Sequence, residues 1–234
     1  MLRSLQILCL SLTALCLAAV LPLSASRAEA KDRDIKVTGV DDKYLNLEVD
    51  GKKVNIPLPE GYEVAEREPY DKLYKRLERG AAEVNKILLC VLVNSGANII
   101  KRNNSSYLGY KYCLFTIENR YKKMIVSGDV FQREIKRLKE FSLTMAKDGN
   151  QQLINEKLSP FTCKTIFENE FSFSEINIED WAIQGEYRIG FTETYFNINN
   201  IMYTFLMYYD IRDIEDIESL TRETISYIDV LGKR

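Results

Sequence analysis

From Tyr44 the chain alternates apolar and polar positions through Leu45, Leu47 and Val49, breaks at Asp50-Gly51 and resumes with Val54 and Ile56. A period of two marks a half-buried strand, and Asp-Gly tolerates the positive φ of a tight turn, so this stretch predicts a β-hairpin. Pro57 and Pro59 withhold ladder donors and end it. Near Pro69 the period changes. Tyr70, Leu73, Tyr74 and Leu77 recur at helical spacing, with Lys72, Lys75, Arg76 and Arg79 on the remaining surface, which predicts a helix. Lys86 to Val93 is a short continuous apolar run and reads as a buried central strand. The polar stretch from Asn94 to Ser106 lacks a period and reads as a long surface loop. Tyr107 to Glu118 returns to strand.

A second helix is predicted from Asp129, with Gln132 completing a capping box, an apolar stripe of Phe131, Ile135, Leu138, Phe141 and Met145, and an end at Asp148-Gly149. Gln151 to Leu158 offers one further helical turn. Phe161 to Phe173 and Trp181 to Phe196 are strand candidates, and Asn199-Asn200 turns the second of them back into Ile201 to Tyr209. Both faces of that last strand are apolar, which places it inside a sheet. A final helix, Arg212 to Leu231, directs Ile214, Ile217, Leu220, Ile228 and Leu231 inward, with acidic residues crowding its start. The sum is an α+β fold, a mainly antiparallel sheet with packed helices, over residues 31–234. A separate hairpin subdomain over 31–61 is the alternative.

The opening segment changes the picture. Arg3, the apolar run from Leu5 to Leu23, Pro22 and the small-residue site Ala28-x-Ala30 read as a signal peptide over residues 1–30, cleaved after Ala30. An uncleaved membrane anchor is the alternative, since the run approaches bilayer-spanning length. Cys9 and Cys16 follow Leu8 and Leu15, where a lipobox wants a small residue, so a lipoprotein is disfavoured. Export to the periplasm or outside the cell is therefore expected. Charged residues interrupt every later apolar run, so no transmembrane segment is expected after cleavage.

Of the 234 residues none is histidine, which excludes Ser-His-Asp and Cys-His catalysis and histidine-bound zinc or haem within this chain. A net charge of −2 makes this a mildly acidic chain, which, together with its expected export, argues against nucleic acid as a partner. Beyond the leader, Cys90, Cys113 and Cys163 permit at most one internal disulfide, and their apolar settings read as small buried side chains. There is no nucleophile elbow, no Ser-x-x-Lys and no Gly-rich phosphate loop, and no cofactor is expected. Gly190 within a strand reads as a bulge or a close backbone approach. The carboxylates Asp210, Asp213, Glu215, Asp216 and Glu218 match no calcium loop and read as a solvated helix face, so no metal is expected.

Two places carry candidate chemistry. A turn at Asn199-Asn200 puts Glu193 opposite Leu206, on a face shared with Phe191 and Tyr208; a buried carboxylate there is the candidate acid–base group. Lys101, Arg102, Tyr107 and Tyr110 combine positive charge with aromatic faces and are the candidate binding residues. The basic span Arg120, Lys122, Lys123, Arg133, Lys136, Arg137 and Lys139 can meet anionic lipid or stand as a solvated face.

The order of elements, an exported chain with an early hairpin, a Pro59-Glu60-Gly61-Tyr62 turn, central strands, a long hairpin and an amphipathic helix after Tyr208-Tyr209, resembles the PsbP-like and DcrB-like α+β group. That resemblance implies a binding or assembly factor more often than an enzyme. The expectation is a non-enzymatic binding or assembly module of a bacterial envelope, acting on an envelope protein or a small ligand. A carboxylate-dependent hydrolase or transferase and a structural subunit of an envelope complex are the alternatives.

Overall fold

The computed structural model describes residues 32–41, 43–65, 67–94, 99–102, 105–108, 111–153, 164–181 and 187–232. The expected leader, Tyr110, Cys163 and residues 154–158 lie outside the described residues. The alternating segment forms its hairpin as expected: β2 (Tyr44–Val49) pairs antiparallel with β3 (Lys52–Pro57). Asp50 and Gly51 take φ of 50° and 78° at the turn. An additional strand, β1 (Ile35–Val40), pairs with β2 and completes a three-stranded sheet. Four of its six residues are exposed, so no apolar alternation announces it.

A seven-stranded sheet follows. Its members are β4 (Tyr62–Val64), β5 (Lys86–Asn94), β8 (Lys111–Glu118), β9 (Lys164–Glu168), β10 (Ser172–Trp181), β11 (Tyr187–Ile198) and β12 (Ile201–Ile211). Their spatial order is β4-β5-β8-β12-β11-β10-β9, and every pairing is antiparallel. The run from Ile201 lies between β8 and β11 and is buried along nearly its whole length, as its two apolar faces require. Asn199 and Asn200, at φ of 54° and 60°, make the two-residue turn that sets its register.

Three expectations are corrected. The polar stretch after Asn94 is not a structureless loop: it holds β6 (Ile99–Arg102) and β7 (Ser105–Leu108), paired only with each other. Tyr107 therefore belongs to β7, and β8 starts at Lys111. The region expected as one strand up to Phe173 divides into β9 and the start of β10, with Asn169 turning between them. Its Oδ1 accepts from the N–H groups of Phe171 and Ser172 at 2.9 and 2.7 Å, a side-chain turn that a strand reading overlooks.

Among the described residues four helices cover the sheet: α1 (Arg67–Glu83), α2 (Asn119–Lys122), α3 (Gly128–Leu153) and α4 (Ile214–Gly232). α3 begins one residue before Asp129 and runs through Asp148-Gly149, past its expected end. Gln132 does not close a capping box; its amide donates to the carbonyls of Asn169 and Glu170 at 3.3 and 3.1 Å. α4 starts where Asp213 Oδ1 accepts from the N–H groups of Glu215 and Asp216, a side-chain cap. Leu220, Ile228 and Leu231 are buried as expected, but Ile214 is 57% exposed, since it sits at the helix's solvated first turn.

Side-chain parity separates two faces of the large sheet. One carries Cys113, Phe115, Phe205, Met207 and Phe196 and receives α4, whose Tyr227 packs on Phe115 and Phe205 and donates to the carbonyl of Pro57 at 2.9 Å. That bond joins the three-stranded sheet to the same apolar core. The other face carries Leu114, Leu206, Phe191, Phe173 and Tyr195 and receives α1 and α3. Gly190 is a close approach rather than a bulge: a Cβ there would lie 2.6 Å from Ile211 Cγ1 and 3.4 Å from Leu220 Cδ2.

Candidate functional site

Glu193 lies opposite Leu206, with Phe191 opposite Tyr208, the register expected from the Asn199-Asn200 turn. Its side chain is 0% exposed. Lys86 Nζ donates to Glu193 Oε1 at 2.8 Å from β5, although β8 and β12 lie between their strands. Three strand spacings amount to about 14 Å, so both side chains must lean far across the face to meet. The two intervening strands present Thr116 and Thr204, direct cross-strand partners on that face. Neither hydroxyl nor Glu193 Oε2 has a hydrogen-bond partner among the described residues.

A second buried carboxylate sharpens the electrostatics. Glu175 on β10 is the direct cross-strand partner of Glu193, and its oxygens accept from Ser142 Oγ of α3 at 3.1 and 3.0 Å. Like charges directly opposite each other repel, so the arrangement demands compensation, which Lys86 supplies. Tyr195, next to the pair, has its hydroxyl pushed well above the usual tyrosine range by burial and then by the charges of Glu193, Glu175 and Glu118. It is held un-ionised. The set resembles acid–base machinery in composition but not in access, because a general base must come within hydrogen-bond reach of a substrate proton. With no exposed surface, Glu193 is placed to hold sheet and side chains together.

The candidate binding residues fall on the β6–β7 hairpin. Its register pairs Ile100 with Tyr107, Lys101 with Ser106 and Arg102 with Ser105. Lys101, Arg102 and Tyr107 are thus brought onto one short ribbon by backbone pairing, while Tyr110 lies outside the described residues. The ribbon leaves the sheet between the end of β5 at Asn94 and the start of β8 at Lys111.

At that same end stands a cluster that sequence patterning does not single out. Lys111 Nζ donates to Glu223 Oε1 at 2.9 Å, Tyr62 OH donates to Glu223 Oε2 at 3.3 Å, and Lys111 Nζ sits 4.1 Å from the centre of the Tyr209 ring. Burial first, and then the negative charge of Glu223, raises the Tyr209 hydroxyl; burial dominates at Tyr62 as well. The residues come from β4, β8, β12 and α4, so only the closed fold assembles them. The one advance signal is Lys111 itself, a cation opening a strand that is apolar from Tyr112 to Phe115.

Cys90 and Cys113 are buried free thiols on the opposite face from Glu193. Burial pushes Cys90 up to about 12 and Cys113 well above its ordinary value, which leaves both protonated and inert. Among the described residues no group of three metal-ligating side chains occurs, and the acidic start of α4 is largely exposed.

No family model matches the chain, and no curated protein matches it. Among solved structures, a point mutant of the protein Mog1 is similar over 79% of this chain and 89% of that chain, at 12% identity and a TM-score of 0.33. A likeness at that level carries no function to this chain. The class established by the structure is an α+β fold built on an antiparallel sheet.

Proposed function

We propose that the protein is a non-enzymatic binding or assembly module, exported to a bacterial envelope, that engages a partner through the β6–β7 hairpin. The observation that carries this reading is that the hairpin extends from two central strands yet pairs with neither, forming its own two-stranded sheet. The strands that flank the hairpin in sequence, β5 and β8, lie inside the large sheet, and the Lys111–Glu223–Tyr62 contacts tie the start of β8 and the start of β4 to α4. Lys101, Arg102 and Tyr107 suit an anionic or polar partner surface, since Arg and Tyr are the residue types that anchor interfaces. The enclosure of Glu193 further favours binding over carboxylate catalysis. Membership of the PsbP-like and DcrB-like group belongs to the same proposal.

The test is capture from the cognate envelope extract by the wild-type protein and by a Lys101→Glu/Arg102→Glu variant, with both thermal midpoints recorded. A defined partner retained by the wild type and lost by the variant, at unchanged midpoint, supports the reading. Equal retention by both refutes the hairpin's role.

A further inference from the structure

At the opposite end of the seven-stranded sheet, three turns are laced together by backbone-directed bonds. Asn197 N–H donates to the carbonyl of Phe171 at 2.9 Å, and its side-chain amide donates to the carbonyl of Val126 at 2.6 Å. Val126 N–H in turn donates to the carbonyl of Asn200 at 2.9 Å. The β9–β10 turn is pinned from inside by Asn169 and from outside by Gln132 of α3. This end is therefore a stiff platform. Two large apolar side chains project from it into solvent, Ile125 at 66% and Phe171 at 58% exposure.

The basic span recognised in the sequence divides on this platform. Arg120 and Arg137 are consumed by Glu118 and Glu134, Lys139 by Glu168, and Lys122 lies 3.7 Å from Asp32. Lys123, Arg133 and Lys136 stay exposed, and the last two follow Gln132, which touches the turn bearing Phe171, by one residue and by one helical turn. Glu170 and Asp129 are exposed nearby and temper the charge without cancelling it. The chain also enters here: Arg33 N–H donates to the carbonyl of Lys122, and its guanidinium reaches the carbonyl of Asn199 at 3.5 Å.

We propose that this end docks on an anionic lipid bilayer, with Ile125 and Phe171 inserted into the interface and Lys123, Arg133 and Lys136 facing the headgroups. Apolar tips on rigid turns supply insertion, and a basic collar supplies attraction to a negatively charged leaflet. A flat protein partner would instead call for an apolar surface that lies level with its surroundings. Docking here leaves the end of the sheet where β5 stops and β8 starts, the foot of the β6–β7 hairpin, on the side away from the bilayer.

The test uses the full chain carrying Phe171→Trp, with Val230→Trp as an exposed control on α4, so that the readout is local and does not depend on residues 1–30. Each is mixed with vesicles of phosphatidylcholine alone or with phosphatidylglycerol, and with bromine-labelled acyl chains as quencher, against the unsubstituted protein. Phosphatidylglycerol vesicles are expected to blue-shift and quench the indole at 171 and leave the control unchanged. Adding Lys123→Glu, Arg133→Glu and Lys136→Glu is expected to weaken that response about tenfold or more. No shift at 171, a shift equal at both positions, or a shift indifferent to phosphatidylglycerol and to the charge reversals overturns the proposal. A shift on mixing with unlabelled protein without lipid marks self-association and overturns it too.

Discussion

Lys86 and Glu193 show what burial does to a single ion pair. Taking both charges from water is costly, and removing one partner strands the other in a medium that cannot solvate it. Lys86→Met leaves Glu193 facing Glu175 with its cation gone, and is expected to lose about 3–5 kcal/mol of stability in urea unfolding. A Lys86→Met/Glu193→Leu double variant is expected to recover most of that loss. Retention of full stability by Lys86→Met contradicts the stapling role. The pair itself was half legible: alternation and the Asn-Asn turn place Glu193 on an apolar face. Its partner lies 107 positions away, across two strands whose order no local pattern reveals.

Among elements, β11 and β12 approach each other closely at Gly190, with α4 packed over the same point. Gly190 lies under Ile211 and Leu220, where even a methyl group collides with Ile211. Gly190→Ala is expected to cost about 1–3 kcal/mol, measured by thermal or urea unfolding, because the neighbours must shift off their rotamers. A neutral outcome means that the Ile211 side chain yields more freely than the geometry requires. Elements with a strong period were legible: β2–β3 with Asp50-Gly51, β5, β12 with Asn199-Asn200, and most of α3 and α4. Those that failed share one physical cause. β1 is exposed on four of six positions, and β6 and β7 are short ribbons rich in polar residues, so pairing rather than apolar patterning defines them. The end of α3 failed differently, since Asp148-Gly149 is a stop signal by propensity alone and the helix continues through it.

For the whole molecule, the deep burial of proton-bearing groups makes stability depend on alkaline pH. Tyr62, Tyr121, Tyr195, Tyr203 and Tyr209 are all raised above 10.0, mainly by burial, and Cys90 is raised from 9.0 to about 12. In the unfolded chain these groups lose protons at their ordinary values while the folded chain retains them. Stability is thus fully present below about pH 9 and falls as pH rises toward 12 and beyond. Urea midpoints recorded across that window are expected to decline steadily, with ionisation of Tyr62, Tyr121, Tyr195, Tyr203 and Tyr209 and reactivity of Cys90 and Cys113 appearing only with unfolding. Ionisation of those five tyrosines in the folded protein near pH 10, read residue by residue in Tyr→Phe variants, contradicts the packing described.

The proposed reading divides labour in this architecture: a sealed ionic pair holds the sheet's shape, and the self-paired hairpin at one end is the surface proposed to meet a partner. The most direct test compares partner retention and unfolding midpoint for Glu193→Gln and for Lys101→Glu/Arg102→Glu side by side. The account predicts that Glu193→Gln lowers the midpoint yet keeps the partner below that midpoint, while the hairpin variant keeps the midpoint and loses the partner. The reverse pattern, with Glu193→Gln abolishing recognition at unchanged stability, would contradict it.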